Sequence, residues 1–405
     1  MPSPVRPPAP LDAAAVAATS RPFGQARMLP AEAYTSAEVL AWERRHVFDG
    51  GWVCVGRVEA LQRAAQSAVQ VGATSVLVTR SGDSRLAAFA NICRHRGHEL
   101  LPCGAATDRG VVQCPYHAWT YELDGRLRLA PHVGGMGNVV PDELRLLPVP
   151  SEQWGGWLFV NVDGAALPLA EHLGDLAGLV APWGPADLRI GATHHYELAA
   201  NWKIAIENYH ECGHCPLIHP ELCRVSPANS GVNVELSGAF VGGAMQLADG
   251  AATMSLDGGS PLAPLAGLDD ERRRQVLYVQ LFPNLLLSLH PDYVMTHRIQ
   301  PRTPSIADVE CQWLFAPDAV AEPGFDPSFA VDFWDVTNRQ DWAAVESVQR
   351  GIESCRFEPG VFAANEDAVY HFATMMAAAY QGHPPTAARI GAHRPTAGTV
   401  RRTDP

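Results

Sequence analysis

No run of about 18 apolar residues, the length a helix needs to cross a bilayer, occurs anywhere in the 405-residue chain. The opening MPSPVRPPAP also lacks the basic start and compact apolar core of a secretory signal, so a cytoplasmic protein without a membrane contact is expected. Lysine and arginine cluster no further than Arg272–Arg274 and the net charge is −13, which leaves no basic footprint for nucleic acid. A G-x-G-x-x-G stretch is missing, and with it the sequence signal for a dinucleotide bound by this chain. Internal repeats are absent as well.

What the chain does have is apolar material: 47% of residues are hydrophobic, enough for two or three domains rather than one. Residues 1–25, rich in Pro and Ala, and residues 386–405 are expected to be disordered tails. The stretch AEVLAWERRHVF, residues 37–48, spaces Val39, Trp42 and Val47 as a helix would, and GWVCVG then opens a strand. Up to about Pro150, short β-rich runs such as SVLVTR and LAAFAN alternate with turn residues, the pattern of a small all-β domain. Farther on, WGGWLFVNVDG and VLYVQLFPNLLLSLHPDYVMTHRIQ read as long strands. AVDFWDVTNRQDWAAVESVQRGIESC and NEDAVYHFATMMAAAYQG read as helices. An antiparallel sheet wrapped around long helices follows, so the class is α+β.

Nine cysteines, an odd number partly interleaved with histidines, fit metal ligation in a reducing compartment better than a disulfide framework. In CRHRGHEL, Cys93 and His95 stand two apart; in CPYHAW, Cys114 and His117 stand three apart, with eighteen residues between the pairs. Zinc accepts two Cys and two His. The order Cys then His in both pairs instead lets two thiolates hold one iron and two imidazoles the other iron of a [2Fe-2S] cluster. His98 and Cys103 lie off this spacing and are expected to be loop residues packed around the site.

The segment ENYHECGHCPLIH, residues 207–219, holds a second set. Five steps along an ideal helix turn a side chain by about 140°, so His214 and His219 share no face of a regular helix. Pro216 between them would bend or stop a helix and swing His219 toward His214. Two histidines and a distant carboxylate form the facial triad of non-heme iron oxygenases. Trp334, Asn338, Asp341, Val345, Val348 and Ile352 recur at steps of four and three along one helix. Asp341 falls on that apolar stripe, where a carboxylate is costly without a cation. Asp332, Asp335 and Glu346 lie off it. Cys212 and Cys215 form a C-x-x-C without a second such pair and are read as packing.

Taken together, CRHRG, CPYHAWTYELDGRL and the two-His segment resemble the alpha subunits of Rieske non-heme iron (ring-hydroxylating) oxygenases, over residues 27–380. ECGHCPLIHPEL resembles the glycine betaine, carnitine and stachydrine monooxygenase group. The resemblance implies a Rieske domain over 51–164 and a helix-grip catalytic domain over 26–50 and 165–385. It implies cluster ligands Cys93, His95, Cys114 and His117, and mononuclear iron ligands His214, His219 and Asp341; QDWAAVESVQRG matches the family around the last. Glu211, three residues before His214, would hold that ligand's free N–H and accept a bond from a neighbouring subunit's His117, in a homotrimer. Electrons would come from NAD(P)H through a separate flavin/iron-sulfur reductase or ferredoxin. The substrate expected is a small organic molecule, hydroxylated or N-demethylated with O2; the alternatives are an arene cis-dihydroxylating dioxygenase and a pure electron carrier. Two positions depart from that group: His210, and Gly213, where an aromatic residue is usual and whose loss is expected to open space beside the iron. Pocket candidates are Tyr278, Phe282, Leu287 and Tyr293 on the strands, with Trp202, Tyr209 and Trp342.

Overall fold

The structure, a computed structural model, describes residues 6–82, 84–131, 141–234 and 236–384. The expected C-terminal tail, 386–405, lies outside the described residues. The N-terminal expectation needs correction, because residues 6–25 pack against the body. Ala-rich Ala13–Thr19 is helical, capped by the Asp12 carboxylate on the Ala15 amide, and buries Val16 and Thr19. Alanine has the strongest helix propensity, and this short helix spends it on a contact with the C-terminal helix Asp367–Tyr380. The Ala9 amide also donates to the Tyr380 carbonyl.

The β-rich region forms three small sheets. Gln66–Val71, Thr74–Arg80 and Leu86–Ala90 pair as an antiparallel meander, flanked by Ala106–Thr107 and Pro148–Val149. Val112–Gln113, Thr120–Tyr121 and Leu127–Leu129 make a second sheet. WGGWLFV, read as one strand, is a hairpin, Ser151–Trp154 and Trp157–Val160, turned at Gly155 and Gly156. Both turn glycines have positive φ, 60° and 86°, which the two-residue hairpin turn demands. Val53–Arg57 pairs with the second arm of this hairpin and completes the third sheet.

From Arg189 onward, seven strands form one antiparallel sheet. Its order is Arg189–Leu198, Ile306–Phe315, Val294–Thr303, Leu285–Leu289, Gln275–Leu281, Phe240–Gln246 and Val232–Asn233. One face carries Leu277, Val279, Leu281, Leu285, Leu287 and Leu289 into a core with Trp52, Trp157 and Phe159 of the hairpin sheet. The opposite face carries Met295, Cys311, Trp313 and Phe315 against the long helix Ser328–Ile352. Burial on both faces explains why these strands read as near-continuous apolar runs.

Two polar contacts lock the small sheets to the large one. The register of Val53–Arg57 slips between Cys54 and Gly56, and Asn284 fills the gap: its side chain accepts from the Cys54 amide and donates to the Cys54 carbonyl, both at 3.0 Å. Arg57, buried, donates to the carbonyls of Gly155, Pro185 and Leu188 at 2.7–3.1 Å. Beneath the helix Trp202–Tyr209, the chain's one lysine, Lys203, is wholly buried and bonds Glu43 at 2.7 Å. Glu43 also accepts from Trp202 and Tyr380, so this helix is anchored to both terminal regions of the fold.

Candidate metal centres

The two Cys/His loops are built alike. In the first, the Cys93 amide donates to the His98 carbonyl and Gly97 to the Cys93 carbonyl; in the second, Cys114 donates to Trp119 and Ala118 to Cys114. Positive φ at Gly97 and Ala118 closes each turn. Cys93 and Cys114 are buried, 3% and 2% exposed, whereas His95 is exposed and His117 half-buried. The thiols therefore face the domain and the imidazoles face outward, the arrangement an electron carrier needs. The His95 and His117 ring centroids are 4.7 Å apart, and His95 stacks on Trp119. Tyr121 lies 3.4 Å from Cys93 Sγ and accepts from the Arg94 amide, holding the first loop. Burial raises the Cys93 pKa above its ordinary value, and the adjacent Cys114 adds to the shift. His98 and Cys103 are exposed loop residues rather than packed ones.

Helix Trp202–Tyr209 starts at an Asn201 cap that accepts from the Lys203 amide. It stops at His210, and Pro216 then sits in the first turn of a new helix, Cys215–Ile218. Proline starts that helix rather than bending one that holds both histidines, since its missing N–H is unneeded in a first turn. His214 caps the short helix at one end and His219 at the other, which turns both rings inward. Asp341 approaches from the long helix. His219 Nε2 lies 2.9 Å from Asp341 Oδ1, His214 Nε2 lies 3.3 Å from the same oxygen, and the two nitrogens are 3.1 Å apart. Ligand atoms about 2.1 Å from a metal and at right angles to each other are about 3 Å apart, so this set fits one face of an octahedron.

The electrostatics also call for a cation. Burial lowers the His214 pKa, but the contacts with Asp341 and Glu211 outweigh it and carry it up to about 10. Burial raises Asp341, but His214 and His219 outweigh it and hold its pKa below the usual carboxylate range. The outer nitrogens are fixed: His214 Nδ1 by Glu211, and His219 Nδ1 by Gln340 at 2.7 Å. Both ligand rings thus point Nε2 at the common centre. Glu211 also accepts from the Gly213 and His214 amides.

The predicted stripe on the long helix is buried at Trp334, Asn338, Val345 and Ile352, but Val348 is exposed and Gln349 is buried in its place. Glu346 accepts from the Ala199 amide, and Asp335 from Tyr196, both away from the metal. Cys215 packs in the core, and Cys212 lies against Met245. Of the pocket candidates, Tyr209 meets Tyr278 edge to face at 5.9 Å, and Trp342 follows Asp341 on the long helix. Leu287 faces the opposite core, Tyr293 is tied to Met254 and Trp334, and Trp202 lies on Glu43. Phe282 belongs to the larger core. A Cβ at Gly213 would meet Glu211 Oε2 at 3.0 Å and Asn365 at 3.5 Å, so the space the glycine frees lies beside Glu211. His210 is half-buried and lies 3.0 Å from Gln280, and the burial of its ring lowers its pKa to about 4. Sequence reasoning missed Gln340 and His297, and placed Asn338 on the helix stripe without its bond to His297; only the neighbouring Asp341 could have pointed to Gln340.

A buried-thiol, exposed-imidazole pair of loops joined to a two-His, one-carboxylate face defines an iron-dependent oxygenase with its own electron store. Residues 185–382 match the ring hydroxylating alpha subunit (catalytic domain) and residues 51–145 the Rieske [2Fe-2S] domain. The glycine betaine monooxygenase oxygenase subunit of Chromohalobacter salexigens is 30% identical over 364 residues, 82% of this chain and 81% of its own. The carnitine monooxygenase oxygenase subunit of Acinetobacter baumannii is 36% identical over 195 residues, 46% of this chain and 51% of its own. A quaternary ammonium Rieske monooxygenase, studied for carnitine oxidation and inter-subunit electron transfer, shares the fold: TM-score 0.75 at 24% identity, over 91% of this chain and 99% of that one. The chain belongs to the Rieske non-heme iron oxygenase alpha-subunit family, in the group of the betaine and carnitine monooxygenases. It is an oxidoreductase that incorporates O2, with a [2Fe-2S] cluster and a mononuclear iron as cofactors.

Proposed function

We propose that this chain is the oxygenase component of a system that hydroxylates an N-methyl carbon of a small quaternary ammonium compound, with loss of formaldehyde. The observation that carries the reading is the convergence of His214, His219 and Asp341 within 4.8 Å, beside a separate pair of Cys/His loops in the same chain. Cys93, Cys114, His95 and His117 hold the cluster, and the three convergent residues hold the iron. Bound there, the cluster supplies single electrons and the iron supplies O2 activation.

The chain's own residues do the rest. Glu211 fixes the His214 tautomer and keeps part of its carboxylate at the surface, with a 17% exposed side chain. It there accepts a bond from His117 of a neighbouring protomer in a homotrimer, so electrons cross between chains. Gln340 fixes His219 from the other side. Tyr209, Tyr278 and Trp342 present ring faces to an N-methylated cation, which aromatic π-systems attract. A separate reductase delivers electrons from NAD(P)H, and residues 51–164 form the domain it would load.

Isotope-labelled O2 supplied with a reductase and quaternary ammonium substrates tests the reading. The expected outcome is one labelled oxygen per turnover and stoichiometric formaldehyde. Two labelled oxygens in a cis-diol, formed from an arene and from no quaternary amine, would replace it by arene dihydroxylation.

A further inference from the structure

Beside the triad, three buried polar atoms lack a protein partner: Tyr278 Oη, His297 Nδ1 and Trp342 Nε1. They belong to one row of rings. Tyr209 meets Tyr278 at 5.9 Å and His297 at 6.3 Å, and His297 meets Trp342 at 6.1 Å, all edge to face. Tyr209 ends the helix that leads to His214, Trp342 follows Asp341, and the Asp341 charge acts on His297, which puts the row beside the triad. Native structures leave few such groups unpaired, so atoms like these are completed by a water or by a ligand's polar atoms.

The hydrogen-bond chain behind His297 fixes what it offers. Tyr196 donates to Asp335 at 2.7 Å, and Asn338 turns its amide nitrogen toward Tyr196 and Cys311. The Asn338 oxygen is then left for His297 Nε2, 3.1 Å away. His297 therefore carries its proton on Nε2, and Nδ1 is a bare acceptor, on a side chain only 4% exposed. Trp342 Nε1 can only donate. Apart from Asp341, none of these ring residues brings a formal charge to the row.

We propose that His297 is a specificity-determining residue. Its Nδ1 accepts a hydrogen bond from a hydroxyl or N–H group on the substrate, so the enzyme prefers hydroxyl-bearing substrates to otherwise identical ones without it. An inference about which quaternary amine is chosen, this rests on the function proposed above. A substrate lacking the donor leaves Nδ1 buried and unpaired, the situation in which discrimination by a buried polar site is greatest.

The test is calorimetric binding to the full, metal-loaded enzyme under anaerobic conditions, using carnitine against γ-butyrobetaine, which is carnitine without its hydroxyl, and benzyl alcohol against toluene. The wild type should bind carnitine about tenfold more tightly than γ-butyrobetaine, the worth of one hydrogen bond. His297→Phe should erase that ratio, chiefly by tightening γ-butyrobetaine binding, because no acceptor is then left buried and unpaired. His297→Asn, which returns an amide oxygen near Nδ1, should restore the preference. Equal affinities in the wild type, or a ratio that survives in His297→Phe, would overturn the assignment while leaving the quaternary ammonium reading in place. A hydroxyl preference confined to the aromatic pair and lost in His297→Phe would uphold His297 and overturn that reading. Binding of none of the four would count against both.

Discussion

Asp341 and Glu211 both touch His214, yet they should fail differently when replaced. Asp341→Ala removes one of the three proposed ligands and should cost the chain about one iron, with the two irons of the cluster retained; metal analysis checks this. Glu211→Ala leaves the ligand set whole, so both metals and the visible cluster absorption should persist while turnover falls on the order of 100-fold. The local pairings of these candidate ligands were legible in the sequence, because ligand chemistry imposes spacing: Cys93 to His95, Cys114 to His117 and His214 to His219 stand on local turns. Asp341 was legible because a carboxylate on a buried stripe needs a reason. His297 was not, because its meaning depends on Asn338 across the core. For Gly213 the sequence led to expected space beside the iron; that the space borders Glu211 and Asn365 depends on the fold of that loop, which no periodicity reveals.

At the scale of elements, the helix Trp202–Tyr209 carries the iron segment on a base of buried charge. Glu207 accepts from Tyr34 at 2.6 Å, and burial, offset in part by Tyr34 and Lys203, raises its pKa to about 7 from an ordinary 4.5. Below about pH 4.5 this carboxyl is protonated in both folded and unfolded chains. As pH rises toward 7 the unfolded chain ionises first, and the folded state loses roughly 3 kcal/mol of this group's contribution. Glu207→Gln cannot ionise, so its stability relative to wild type should rise by about that amount between pH 4.5 and 7.5 in urea unfolding. A constant offset across that range would mean that Glu207 is charged in the fold. The strands and long helices were legible from apolar patterning. The double-glycine hairpin and the docked N-terminal helix were not: the first hides inside an apolar run, and the second owes its place to the distant helix Asp367–Tyr380.

At the scale of the whole molecule, the proposed function requires the two candidate metal sites to communicate. His95 and His117 face outward on one domain, and Glu211 reaches the surface on the other. The α+β class and the order of the two domains followed from the sequence. The assembly that joins them between chains was implied by family resemblance alone, since a single chain's pattern carries no record of its neighbours. The most direct test is activity in mixed oligomers, assembled from Asp341→Ala chains, which keep the cluster, and Cys114→Ala chains, which keep the mononuclear site. Each variant alone should be inactive, and electron passage between protomers predicts that doubly tagged mixed oligomers regain N-demethylation. Mixed oligomers that contain both metals yet form no product would contradict it.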